Sequence, residues 1–278
     1  MNQEISLSIP PVVAVLGHVD HGKTTLLDAI RETNVAGGEH GGITQKIGAS
    51  EIEVMHDGKK RTITFIDTPG HEAFSKMRGR GAQAADIGLL IVSSVDGVMP
   101  QTRESIQLLK EMDTPYIVVL TKIDSPEKNS EKVKQQLLRE NVLLEGYAGD
   151  VPVVEVSARA GTNIKELLDL ILLVFELQYE QSDSQYKPGQ NTDNLQAIVI
   201  ESKLDQKVGP KATVIVKKGM IHPKDELVTD DAEGRVRALI NDKGVQLTEV
   251  TVGHAAEILG FQKTPVVGSI IYNKFQTN

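Results

Sequence analysis

From Val12 to about Glu180, apolar runs alternate with stretches whose apolar residues recur at helical spacing. The runs at 12–16, 49–55, 62–67, 87–93, 116–121 and 153–157 predict strands. Asp57-Gly58, between the second and third of them, predicts a tight hairpin turn, which makes one strand antiparallel. Helical spacing fits 23–31, 102–112, 131–140 and 164–179. The last of these sets Ile164, Leu167, Leu168, Ile171, Leu172 and Phe175 on one face, with Thr162 or Asn163 as N-cap. Such alternation predicts an α/β fold with a mostly parallel sheet.

The pattern breaks at Gln181. Residues 181–194 are nearly devoid of apolar side chains, hold a Pro-Gly pair and predict a linker. Beyond it, short β runs at 195–201, 212–218, 226–229, 236–240, 256–259 and 269–272 follow one another without a helical stretch. They predict a small all-β antiparallel barrel, since closure removes exposed strand edges. The expected division is an α/β domain over 9–180, a linker over 181–194 and a barrel over 195–278.

Composition narrows the setting. The chain has 278 residues, 40% hydrophobic and 24% charged, a globular profile long enough for two cores. It has no cysteine, so disulfides and Cys-based metal sites are excluded. No run reaches the ~18 apolar residues of a membrane span. Met1 to Pro11 lacks the basic and apolar regions of a signal peptide. A cytoplasmic location without a membrane partner is expected. The net charge of −8 divides into −9 over 1–194 and +1 over 195–278, which argues against autonomous nucleic-acid binding.

The chemistry begins at Gly17-His18-Val19-Asp20-His21-Gly22-Lys23-Thr24, between the first predicted strand and the first predicted helix. Strand, Gly-x-x-x-x-Gly-Lys-Thr and helix are the context of a phosphate-binding P-loop. Its backbone N–H groups, those of Gly22, Lys23, Thr24 and Thr25 included, and the helix N-terminus would cradle an anion. In that reading Lys23 reaches the β- and γ-phosphates and the Thr24 hydroxyl ligates Mg²⁺.

Three further groups select the nucleotide and its chemistry. Asp67, at the end of the strand predicted over 62–67, would hold Mg²⁺ through water, and the Gly70 N–H would approach the γ-phosphate. His71, directly after it, is the histidine within reach of an attacking water. In Thr121-Lys122-Ile123-Asp124, the Asp124 carboxylate would accept from N1–H and the 2-amino group of guanine, a donor pair that adenine lacks. The Lys122 stem would lie across the base, and Ser157-Ala158 would offer backbone N–H groups to the base oxygen. These motifs fall at carboxyl ends of strands, where open α/β sheets bind ligands. Thr44, in the polar Gly-rich segment 34–48, would make an order–disorder switch if it ligates Mg²⁺ only with the γ-phosphate present.

Taken together, 17–24, Gly-Gly-Ile-Thr at 41–44, Asp-Thr-Pro-Gly-His at 67–71 and Lys-x-Asp at 122–124 resemble the translational GTPases. Within them, residues 67–74, Arg-Gly-Ala-Gln-Ala-Ala-Asp-Ile at 80–87 and Asp-Gly-Val-Met-Pro-Gln-Thr at 96–102 are similar to the bacterial translation initiation factor two family. Residues 195–205, 209–213 and 234–239 resemble that family's second barrel. The resemblance implies a P-loop GTPase domain followed by a β-barrel domain, with GTP or GDP and Mg²⁺ as ligands.

It further implies that Thr24, Thr44 and Asp67 form the metal shell, and that Val19 and Ile43 are an apolar gate screening His71 from the γ-phosphate. Asp20 matches a position that helps hold a monovalent cation beside the phosphates. The implied activity is GTP hydrolysis by a monomer on the ribosome, with both subunits as partners during subunit joining. Initiator tRNA would be bound only through the family's C-terminal domains, which have no counterpart in this sequence. Thr121 stands where the family usually has Asn, whose side chain braces the P-loop, and Val95 replaces the first acid of an Asp-Asp-Gly. Two other readings remain open: a non-catalytic, nucleotide-dependent ribosome-binding module, and an elongation-type translational GTPase.

Overall fold

The computed structural model describes residues 9–35, 48–66, 84–147, 149–181 and 194–274. Strand β1 (Val12–Gly17) leads through a 3-10 turn (Val19–His21) into helix α1 (Lys23–Val35). The pair β2 (Ala49–His56) and β3 (Lys59–Ile66) precedes β4 (Ile87–Ser93), α2 (Pro100–Glu111) and β5 (Tyr116–Thr121). Helix α3 (Ser130–Arg139), β6 (Val153–Glu155) and α4 (Ile164–Gln181) follow.

The chain forms two compact units. One holds, among the described residues, 13–35 and 85–175; the other holds 9–12, 48–66, 84 and 176–274. In the first, β1, β4, β5 and β6 run parallel in that order, with Leu16 opposite Leu90 and Leu90 opposite Val118. No residue from Val12 to Leu16 is more than 4% exposed, as expected for a strand covered on both faces. The predicted helix start at 102 lies two residues late, because Pro100 occupies the first helical position and the Met99 N–H donates to the Thr102 hydroxyl at 3.2 Å. Asn129 caps α3 by accepting the Lys132 N–H at 3.0 Å. The amide of Asn163 instead donates to the Glu155 carbonyl at 2.8 Å, tying the start of α4 to β6.

In the second unit, β2 and β3 are antiparallel with His56 opposite Lys59, which leaves Asp57 and Gly58 as the two-residue loop. Both have positive φ (47° and 73°), the conformation a two-residue hairpin of this type needs. That turn pins the register, so pairing extends to the polar residues 59–61 that the apolar pattern omits. Within each unit the pairing is uniform: β1, β4, β5 and β6 are parallel, and the β2–β3 hairpin is antiparallel.

The barrel comprises β7 (Gln196–Asp205), β8 (Gly209–Lys218), β9 (Glu226–Val228), β10 (Glu233–Ile240), β11 (Gln246–Leu247), β12 (Ala255–Phe261) and β13 (Ile270–Asn273). Pairing runs β10-β12-β8-β7-β13-β9 and returns to β10, an antiparallel closure of six strands. Val199, Val214, Val236, Ile258 and Phe261 pack inside it. The sequence pattern misses β11 and the outer half of the β7–β8 hairpin, where residues are polar and Leu204 faces solvent.

The hairpin β2–β3 is fastened to the barrel by polar bonds. The Glu51 carboxylate accepts the Ala255 N–H at 3.0 Å and lies 3.0 Å from His254 Nδ1. Asp242 accepts the Glu51 N–H at 3.0 Å, and burial pushes its carboxyl above the usual range. Thr64 donates to the Gly253 carbonyl at 2.7 Å, and Glu201 accepts the Gly48 N–H at 2.9 Å.

Candidate functional site

The loop from Gly17 to Gly22 turns between the end of β1 and the start of α1. At Gly17 φ is +138°, and a Cβ would lie 2.4 Å from the Ile91 carbonyl oxygen, so a side chain is excluded where the loop crosses β4. The Lys23 ammonium folds back over the loop and donates to the Gly17 and His18 carbonyls at 2.6 and 2.8 Å. Burial lowers its pKa, against the opposing influence of Asp20. Thr24 and Thr25 begin α1 with exposed side chains, at the helix end whose free N–H groups and dipole favour an anion.

Two histidines flank this turn. His21 is fully buried, its Nδ1 lies 3.3 Å from the Ile91 carbonyl, and Nε2 meets no partner among the described residues. Burial drives its pKa down to about 4, so at neutral pH it is an uncharged part of the loop's support. His18 Nδ1 lies 2.7 Å from Gln101 Oε1, and the same oxygen accepts the Val19 N–H at 3.1 Å. The side chain of Val19 itself is exposed, and so is Asp20.

The predicted base-recognition residues gather at the ends of β5 and β6. The Thr121 hydroxyl donates to the His21 carbonyl at 2.7 Å, so the end of β5 supports the loop between β1 and α1 directly. Lys122 has φ +60° and pairs with Asp96 at 2.9 Å; the Ser93 hydroxyl and this ammonium hold the Asp96 carboxyl below its ordinary range. Asp124 is exposed and accepts the Ser157 hydroxyl at 2.7 Å, and that bond chiefly keeps its carboxyl below the usual value. The Ser157 oxygen in turn accepts the Ala160 N–H at 3.1 Å, which fixes its rotamer next to Ala158.

The structure thus joins Thr121 to the loop at the His21 carbonyl, next to Gly22, Lys23, Thr24 and Thr25 in the chain, and joins Asp124 to Ser157. Ile43, Thr44, Asp67, Gly70 and His71 lie outside the described residues. Sequence reasoning missed three contributions: the Ser157 hydroxyl on Asp124, Asp96 on Lys122, and Gln101 on the loop. Asp96 and Gln101 stand in a segment read only for its family likeness. The Pro100 helix start, which fixes where Gln101 sits, was the physical signal available.

Residues 10–176 match the family model described as elongation factor Tu GTP binding domain, and 194–274 match elongation factor G domain 2. The chain belongs to the family of elongation factor Tu GTP binding domains. More particularly, it is 49% identical over 263 residues to translation initiation factor IF-2 of Fusobacterium nucleatum, across 95% of this chain and 34% of that protein. IF-2 of Kosmotoga olearia is 51% identical over 264 residues, with 95% and 36% covered. The chain therefore spans about a third of these relatives' length. Among solved structures, GDP-bound aIF5B from Aeropyrum pernix superposes with TM-score 0.70 and 31% identity, over 95% of this chain and 54% of that one. Elongation factor SelB of Methanococcus maripaludis, at 22% identity and TM-score 0.68 over 96% and 56%, shares the fold. Among the described residues no helix is long and apolar enough to cross a membrane.

Proposed function

We propose that this chain is the GTP-binding and GTP-hydrolysing part of a translation initiation factor that works on the ribosome in the cytoplasm. One observation carries the reading. Thr121 supports the P-loop at the His21 carbonyl, and three residues further on Asp124 is held as a carboxylate by Ser157. This supports a phosphate site after β1 and a guanine-selective acceptor after β5, at the same end of the parallel strands, and the similarity to IF-2 supports initiation over elongation.

In this reading Gly22, Lys23, Thr24 and Thr25 hold the phosphates, Lys122 covers the base, and the Ala158 N–H donates to the base oxygen, since the Ser157 N–H expected to share that role is engaged by the Thr162 carbonyl at 3.2 Å. Thr24, Thr44 and Asp67 supply only oxygen donors, the set that Mg²⁺ prefers. When bound, the ion offsets charge on the β- and γ-phosphate oxygens. Asp20 would hold a monovalent cation. Hydrolysis replaces the γ-phosphoryl bond to GDP with one to water. His71 orients that water beside the Gly70 N–H, and Val19 with Ile43 keeps His71 away until the ribosome realigns it. The working division is a GTPase domain over 9–180, a linker over 181–194 and a ribosome-facing barrel over 195–278, acting as a monomer. Initiator tRNA would be handled by domains outside this chain.

Calorimetric titration with GDP, GTP and ATP tests the guanine assignment, and equal binding of ATP would overturn it. Asp124→Asn is expected to shift preference toward xanthosine triphosphate. Single-turnover hydrolysis with and without ribosomes tests the catalytic half, with His71→Ala expected to lower stimulated turnover by ~10²-fold while leaving GTP affinity near wild type. GTP that persists for hours on ribosomes would leave only a binding module.

A further inference from the structure

Gln101 lies on α2, an element that holds none of the residues expected to touch nucleotide. Its side-chain oxygen nevertheless accepts the Val19 N–H at 3.1 Å and sits 2.7 Å from His18 Nδ1. The carbonyl of the same His18–Val19 peptide accepts the Lys23 ammonium at 2.8 Å. One peptide plane is therefore gripped from both sides, by Gln101 at its N–H and by Lys23 at its C=O. Gln101 is well placed to grip, because Pro100 and the bond from the Met99 N–H to the Thr102 hydroxyl fix the first turn of its helix. Among the described residues no other side chain bonds a backbone N–H between His18 and Gly22.

We propose that Gln101 is a positioning residue for nucleotide retention: it fixes the His18–Val19 peptide, and through it the Lys23 ammonium. The inference rests on reading this loop as the guanine-nucleotide site. Without the Gln101 oxygen the peptide is free to rotate. Lys23 then loses one of its two carbonyl anchors, and the cradle must be reordered each time phosphates bind. The cost is felt as faster release.

The geometry also fixes a proton. A backbone N–H only donates, so the Gln101 atom facing it is the oxygen, and His18 must then carry its hydrogen on Nδ1. That tautomer gives a signature that mere packing does not.

Long-range ¹H–¹⁵N spectra of the wild-type chain are expected to show His18 protonated at Nδ1. Gln101→Leu should release it to the Nε2–H form, while Gln101→Glu, which keeps an acceptor oxygen, should retain Nδ1–H. In stopped-flow release of a fluorescent GDP, Gln101→Leu should dissociate about tenfold faster, the scale of one lost hydrogen bond, and Gln101→Glu should stay near wild type. An Nε2–H His18 in the wild type, or unchanged release from Gln101→Leu, would overturn the positioning role and leave the nucleotide assignment standing. Failure of the wild-type chain to bind GDP would remove that assignment, and this role with it.

Discussion

The hydroxyl of Thr121 donates to the carbonyl oxygen of His21 at 2.7 Å, joining the end of β5 to the loop between β1 and α1. The family resemblance leads one to expect Asn here, and the shorter Thr keeps a brace to the loop. Thr121 is buried, so its loss has a definite cost. Thr121→Val keeps the shape and removes the donor. It should lower stability by about 1 kcal/mol in urea unfolding and weaken GDP binding several-fold. Unchanged values in both measurements would mean that the loop stands without the brace.

The Asp124 carboxyl is held below its usual range first by the Ser157 hydroxyl. A depressed carboxyl stays ionised, and able to accept from guanine, as pH falls past the value of a free aspartate. Ser157→Ala removes the main cause, so Asp124 should protonate at a higher pH than in the wild type. A ¹³C titration of the Asp124 carboxyl checks the shift. GDP affinity in mildly acidic buffer should begin to fall earlier for the variant. A titration curve that coincides with the wild type would show that Ser157 does not tune this carboxylate.

The legible parts of the fold were those where pattern and local chemistry agree. The runs at 87–93 and 116–121 coincide with β4 and β5 because β4 is buried throughout and β5 from Ile117 onward, and Asp57-Gly58 marks its turn because few other pairs tolerate two positive φ angles. The outer half of the β7–β8 hairpin was not legible, since its residues pair through backbone while their side chains meet water. In the site, spacing singles out Lys23 and Asp124 and the family resemblance singles out Thr121, whereas neither points to the Ser157 hydroxyl or Gln101. Their roles are long-range: Ser157 bonds a carboxylate 33 residues away, and Gln101 reaches His18 across 83. No local pattern encodes a partner at such separation.

His21 provides a pH-dependent part of stability. Its pKa falls from 6.5 to about 4 on folding, chiefly through burial. The unfolded chain therefore takes up this proton more readily than the folded one. Sign and window follow from that: the contribution is fully present above pH 6.5 and is lost as pH falls toward 4. The full loss corresponds to about 3 kcal/mol. Urea unfolding at pH 7 and at pH 4.5 should show a steeper decline for the wild type than for His21→Gln, whose side chain does not titrate. Parallel declines would mean that other groups account for the acid sensitivity.

Arg61 is 3% exposed, and its guanidinium pairs with Glu176 of α4 at 2.8 Å while Nη2 meets no partner among the described residues. A buried cation with one carboxylate partner is stable only while that partner remains. Glu176→Ala leaves the charge in place without compensation and should cost ~3 kcal/mol or more. Arg61→Met removes the charge, keeps much of the apolar stem and should cost less, since the half-buried Glu176 can turn to solvent. The order of the two losses is the prediction, and the double variant should lie close to Arg61→Met. Urea unfolding of the three variants decides it. If Arg61→Met proves the more damaging single change, the arginine contributes mainly through packing and not through its pairing with Glu176.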